Sequence, residues 1–257
     1  MSRAARRRSR ATACGLALVL VASCTPPADK QPSKPSNWTM VVGIDVSGSF
    51  KGQYEDAVQF AAEYIYAHVN GLGGLRVPTS LFVAGIGGER PGEPKAFHPI
   101  NDFAGRTPDQ IAADLRVWFK PMDAFTDFNV FFKQVAVLVK ERGLILAPIN
   151  LVLLSDGIQD VGARLSPGSS PIAQIDLAPL EFLSRSVTVR LLYASPTVDD
   201  LWKRLIRRKR VRLWTVETPV MVGWHRQVKA GVPLAEQESL WKWVRDNVDF
   251  RARGGVL

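Results

Sequence analysis

The chain has 257 residues, 46 % of them hydrophobic, two cysteines and a formal net charge of +9. Two cysteines exclude a disulfide-built framework and a cysteine-rich metal centre. The positive charge is weak evidence for nucleic-acid binding, because five of the arginines lie within the first ten residues, at positions 3, 6, 7, 8 and 10.

Those arginines precede an apolar stretch from Ala11 to Ala22. The pair has the form of the n-region and h-region of a secretory signal, too short to span a bilayer. It ends in Val21-Ala22-Ser23-Cys24, which resembles the lipobox of bacterial lipoproteins. The resemblance implies removal of residues 1–23 and acylation of Cys24. Ordinary cleavage near Ala22 and an uncleaved anchor are the alternatives. Cys14 would leave with the signal, and the net charge would fall to about +4. Thr25 stands where an inner-membrane retention signal usually has Asp, so the resemblance favours a lipid-anchored place in the cell envelope at the outer membrane. Residues 24–36 carry Pro26, Pro27, Pro32 and Pro35 without apolar periodicity, and are expected to form an extended tether.

Residues 37–257 have the length of one α/β domain. It opens on an apolar, β-branched run, Met40 to Ile44, that reads as a buried strand ending at Asp45. Ser47, Gly48 and Ser49 then turn the chain toward a helix. A carboxylate and two hydroxyls on one turn are hard oxygen donors, suited to Mg²⁺, Ca²⁺ or Mn²⁺ rather than zinc or copper. Asp45-Val46-Ser47-Gly48-Ser49 resembles the Asp-x-Ser-x-Ser signature of von Willebrand factor type A (vWA) domains, which opens their metal-ion-dependent adhesion site (MIDAS). The resemblance implies a doubly wound, mostly parallel twisted sheet, vWA/Rossmann-like, with one antiparallel edge strand and helices on both faces.

Further along, Tyr54, Ala57, Val58, Ala61, Ile65 and Val69 have helical spacing, and Gly71–Gly74 ends that helix near Asn70. A strand is expected at Ser80–Ile86, and a short antiparallel return at Lys95–Ile100, because the connection has no room for a crossover helix. His98 on that return is expected to be an ordinary edge residue. Thr107-Pro108 caps a helix running to about Phe119. Another helix follows Phe128, carrying Val130, Phe131, Val135 and Val139. Type A domains place a metal-site Thr in the loop before this helix, which implies Thr126; as a bare sequence feature Thr126 also fits a helix cap.

Ile149–Leu154 is a second buried strand, followed by Ser155-Asp156-Gly157. The resemblance makes Asp156 the last metal-site residue, on a strand beside the one ending at Asp45. Residues 160–179 form a Ser/Pro/Gly-rich insert at that end of the sheet. A strand at Ser186–Ala194, a helix from Val198 to about Arg208, a strand at Val211–Val216 and a helix from about Leu234 to Val248 complete the domain. Residues 203–210 are densely basic, and read as a solvated helix end or as a surface for anionic head groups or an acidic partner. Five of the seven Trp lie after residue 201, spaced as core or interface residues.

The resulting expectation is a non-catalytic, membrane-tethered binding domain. Its metal set is Asp45, Ser47, Ser49, Thr126 and Asp156, holding a divalent cation with Mg²⁺ favoured. Its partner is a protein offering an Asp or Glu carboxylate, its membrane contact is the lipid at Cys24, and nucleic acid is not expected. Two other classes compete. Val42–Ser49 also resembles the phosphate loop of actin- and hexokinase-like enzymes, although that loop joins two antiparallel strands. A serine hydrolase lacks its G-x-S-x-G elbow here. A type A scaffold that binds without metal is the third alternative.

Overall fold

The computed structural model describes residues 36–90, 92–121, 125–161, 170–183 and 186–250. The signal, Cys24 and nearly all of the expected tether lie outside these residues. Six strands form one sheet in the order β3-β2-β1-β4-β5-β6. They are β1 (Ser36–Asp45), β2 (Pro78–Ile86), β3 (His98–Pro99), β4 (Ile149–Leu154), β5 (Val187–Ala194) and β6 (Arg212–Glu217). All neighbouring pairs are parallel except β2 with β3. The fold is therefore the expected mostly parallel α/β sheet with an antiparallel edge.

Strand alternation sorts the core. Met40, Val42 and Ile44 pack with α1 (Tyr54–Asn70) and α2 (Pro108–Trp118) on one face. Val41 packs on the other face with α3 (Phe128–Glu141), α4 (Ala178–Glu181) and α5 (Pro196–Leu205). Residues 40–47 are all buried, as expected of a strand covered on both sides. Gly43 is needed on the α3 side, because a Cβ there would lie 2.8 Å from both Ile86 and the Phe131 ring. Of the late tryptophans, Trp202, Trp224 and Trp241 are buried in the core, and Trp214 and Trp243 pack against it partly buried.

Several boundaries differ from the sequence reading, and the larger differences have long-range reasons. β1 starts at Ser36 rather than Met40, because Ser36 and Thr39 pair with Pro78 and Ser80. β3 shrinks to two residues because Gln134 on α3 takes the backbone of the preceding segment: Lys95 N–H donates to Gln134 Oε1 (2.6 Å), and Gln134 Nε2 donates to Glu93 O (2.8 Å). His98 stacks on Trp118 with ring centroids 3.7 Å apart. α5 stops at Leu205 because the buried Glu181 carboxylate gathers the N–H groups of Lys209, Arg210 and Val211 (2.6, 2.6 and 3.2 Å). The basic stretch is thus a loop wrapped on a carboxylate, with Lys203–Asp199 and Arg204–Asp200 pairs on the helix before it.

The last helix is also broken. After α6 (Thr218–Met221), a 3₁₀ turn at Leu234–Glu236 is separated from α7 (Glu238–Trp243) by Gln237. The buried Gln237 amide bonds Lys229 N and O and Val232 O, which holds the preceding loop. α7 runs into a π turn, Val244–Val248, closed by Asp249 N–H donating to Val244 O (2.9 Å).

Candidate metal site at the strand-order switch

The strand order reverses between β1 and β4, whose carboxyl ends therefore flank the crevice where α/β sheets of this winding take ligands. Asp45 ends β1 there and is fully buried. Ser47 N–H donates to its Oδ1 (2.9 Å), and Ser155 Oγ donates to its Oδ2 (2.5 Å). Burial pushes the Asp45 carboxyl up to about 6; the bonds from Ser155 and Ser47 pull it down, and the neighbouring Asp156 charge pushes it up again.

The segment after Asp45 does not enter the helix at once. Successive turns, Phe50 N–H to Ser47 O and Lys51 N–H to Gly48 O, carry the chain to α1 at Tyr54. They leave the Ser47 and Ser49 hydroxyl oxygens 3.2 Å apart, Ser47 buried and Ser49 exposed.

Thr126 arrives from the loop before α3 and is buried. It is not the helix cap; Asp127 is, accepting from Val130 N–H (3.0 Å). Backbone bonds hold the loop on both sides, Gly88 N–H to Phe125 O (3.1 Å) and Asp160 N–H to Thr126 O (2.9 Å). The approach depends on Gly87: its φ is +86°, and a Cβ there would fall 2.3 Å from Phe125 O. Gln159 adds a buried support, accepting from Phe128 N–H (2.9 Å).

Ser47, Ser49 and Thr126 line one cavity of about 270 Å³, together with Gly48, Phe125, Ile158 and Asp160. Asp45 lies under the Ser47 turn through its hydrogen bond. Asp156 does not line this cavity; it is half-buried, and its Oδ1 accepts from Ile158 N–H (3.0 Å), so it reaches Asp45 as a charge rather than as a wall. Two participants escaped the sequence reading. Ser155 looks like strand-end filler, yet its hydroxyl bridges Asp45 and Gly157 N–H (3.0 Å). Asp160 opens the Ser/Pro/Gly-rich insert and lines the cavity; its spacing of four from Asp156 is the available signal.

Among the described residues no group of three or more His, Cys, Asp or Glu is placed to hold a metal. A cation at this site has to draw on hydroxyl oxygens. The donors fit one: adjacent oxygens around an octahedral Mg²⁺ with bonds of about 2.1 Å lie about 3.0 Å apart, close to the observed 3.2 Å. Thr126 lines the same cavity, and a buried carboxylate stands behind Ser47.

No protein-family model matches the chain, and no curated protein matches it. Among solved structures it is similar to the SpRpn10 VWA domain, at 10 % identity and a TM-score of 0.44 over 86 % of this chain and 99 % of that one. It is similar to proximal thread matrix protein 1 from the mussel byssus at 13 % identity and a TM-score of 0.40, over 82 % of this chain and 48 % of that one. It is also similar to the pilus adhesin SpaC from Lactobacillus rhamnosus GG, in its open conformation, at 16 % identity and a TM-score of 0.35. That match covers 48 % of this chain and 15 % of the adhesin.

Proposed function

We propose that this chain is a vWA domain that binds a protein partner through a divalent cation, tethered to a bacterial envelope membrane by lipid on Cys24. The observation that carries the reading is the meeting of Ser47, Ser49 and Thr126, from segments nearly eighty residues apart, in one cavity beside buried Asp45. Ser47 and Ser49 would ligate the ion directly, Thr126 directly or through water, and Asp45 and Asp156 mainly through water and charge balance. Mg²⁺, or Ca²⁺ or Mn²⁺ in its place, supplies an open coordination position for the partner's Asp or Glu carboxylate when bound. Because three of the protein's ligands are neutral hydroxyls, enough positive charge is left to attract that carboxylate. The chain's own residues orient the site and perform no chemical step. The phosphate-loop alternative requires antiparallel strands around Val42–Ser49, whereas β1 and β2 are parallel with α1 between them.

The test is a crosslinked pull-down from intact envelopes using the full chain, wild type beside Asp45→Ala, with and without EDTA. Loss of the partner in both the variant and the chelated sample is expected. A partner retained in both removes the metal from recognition and leaves the metal-independent scaffold. Cys24→Ala, followed by fractionation, is expected to reduce membrane association through loss of the acyl anchor.

A further inference from the structure

At the opposite edge of the sheet, where the parallel strands begin, lies a second cavity of about 490 Å³. Arg76, Arg190, Arg212 and Arg245 line it, and the lining holds one carboxylate, Asp249. That carboxylate is already engaged, by Tyr64 OH (2.6 Å) and His68 Nε2 (3.1 Å). Arg190, Arg212 and Arg245 form no ion pair among the described residues.

Arg190 is the telling member. It sits on β5, 5 % exposed, and donates from Nη1 to Val248 O (2.6 Å) and Phe250 O (2.9 Å). A guanidinium has five N–H donors, and a buried one is costly unless its charge is compensated. Two carbonyls supply hydrogen bonds, and the one carboxylate whose charge reaches Arg190, Asp249, is shared with Tyr64 and His68. A concave site where Arg190, Arg212 and Arg245 face one shared carboxylate concentrates positive potential. The planar donor fork of Arg matches phosphate oxygens, and the volume falls in the range of small-ligand pockets.

We infer that this cavity binds a phosphate-bearing anion of head-group size, either the head group of an anionic phospholipid or a soluble phosphorylated polyol. β1 enters the sheet at this edge, so a chain anchored upstream of Ser36 is attached beside the cavity. The lipid source therefore leans on the proposed anchor at Cys24; the cavity and its anion do not, and neither depends on the metal site.

The experiment uses the full chain with two probes. Glycerol 3-phosphate is titrated calorimetrically, and vesicles of phosphatidylglycerol are compared with vesicles of phosphatidylcholine by co-sedimentation. Residues 1–22, with their five arginines and apolar segment, are common to wild type and variants, so their contribution cancels when these are compared on the same vesicles. Arg212→Gln/Arg245→Gln removes two exposed guanidinium groups, and Arg212→Gln alone serves if the pair perturbs folding. Arg204→Gln/Arg207→Gln removes equal charge outside the cavity lining. Saturable binding to at least one probe is expected, weakened about tenfold or more by the cavity pair, the effect of one or two charge-assisted hydrogen bonds. The control pair should leave affinity within about twofold, as expected for screened surface charge. Preference for phosphatidylglycerol vesicles that the cavity pair reduces and the control pair does not identifies the lipid source, and binding of glycerol 3-phosphate alone identifies the soluble one. Binding to neither probe, or equal loss in cavity and control pairs, overturns the inference. EDTA and Asp45→Ala should leave this binding unchanged, which separates its failure from that of the metal-dependent reading.

Discussion

Asp45 is the most constrained side chain of the candidate metal site, and its constraint comes from 110 residues away. Ser155 Oγ donates to Asp45 Oδ2 and accepts from Gly157 N–H, so one hydroxyl ties the end of β1 to the turn after β4. Ser155→Ala leaves the buried carboxylate with one fewer donor and orphans the Gly157 amide. A loss of about 1–3 kcal/mol is expected in urea unfolding, the cost of leaving buried polar groups unsatisfied. A fall in Mg²⁺ affinity of about tenfold or more is also expected, as when support behind a metal ligand is removed. Calorimetric titration with Mg²⁺ measures the second effect. Unchanged stability and affinity would show that Ser155 gives Asp45 no support.

Secondary elements divide into those whose causes are local and those whose causes are distant. The Asp45–Ser49 turn, the Thr107 capping box and the strand cores were legible because each signal lies within a few consecutive residues. The ends of α5, β3 and the last helix were not, because Glu181, Gln134 and Gln237 fix them through bonds to backbone elsewhere, and no periodicity encodes those bonds. The part of Ser155 is hidden for the same reason, whereas Thr126 could be set beside the Asp45–Ser49 turn because family order supplied the long-range link. The π turn after α7 shows what such a bond achieves. It delivers Asp249 to His68 and Tyr64 on α1, near Arg190 of β5. Burial pushes the Asp249 carboxyl up, but the His68 charge and hydrogen bond, the Tyr64 hydroxyl and the Arg190 charge outweigh it, and the net position lies below the usual carboxylate value. A carboxyl held lower in the folded state adds stability that is complete above the unfolded value, near pH 4, and is lost as pH falls through the folded value. Asp249→Asn should therefore cost about 2 kcal/mol at pH 7, the worth of hydrogen bonds to a charged group. The gap from wild type should be smaller at about pH 2 than at pH 7, because acid below the unfolded value lowers the charge contribution. Urea titrations at both pH values check this; a gap that persists undiminished in acid would mean the loss is packing rather than charge.

At the scale of the whole domain, the sheet carries two chemically opposite edges. Beyond the carboxyl ends of β1 and β4, hydroxyl-bearing residues and one carboxylate, Asp160, line one cavity, and at the amino ends of the same sheet arginines line another. A ten-residue strand separates them by about 30 Å, beyond the Debye length of about 8 Å at physiological salt. Sites so far apart, sharing no contacts, should act additively. A cation held by the Ser47–Ser49 turn and the Thr126 loop would cross-link segments nearly eighty residues apart, and would stabilise the folded state by mass action. At about one hundred times the dissociation constant that stabilisation is about 2.7 kcal/mol, and for a domain of this size it corresponds to a rise in Tm of about 5–10 °C. The expected result is that saturating Mg²⁺ or Mn²⁺ produces this shift in wild type and in Arg212→Gln/Arg245→Gln alike, and produces none in Asp45→Ala. A shift absent from wild type would count against the metal site. A shift lost in the arginine pair would show that the two edges are coupled through the sheet, because direct charge interaction over that distance is screened.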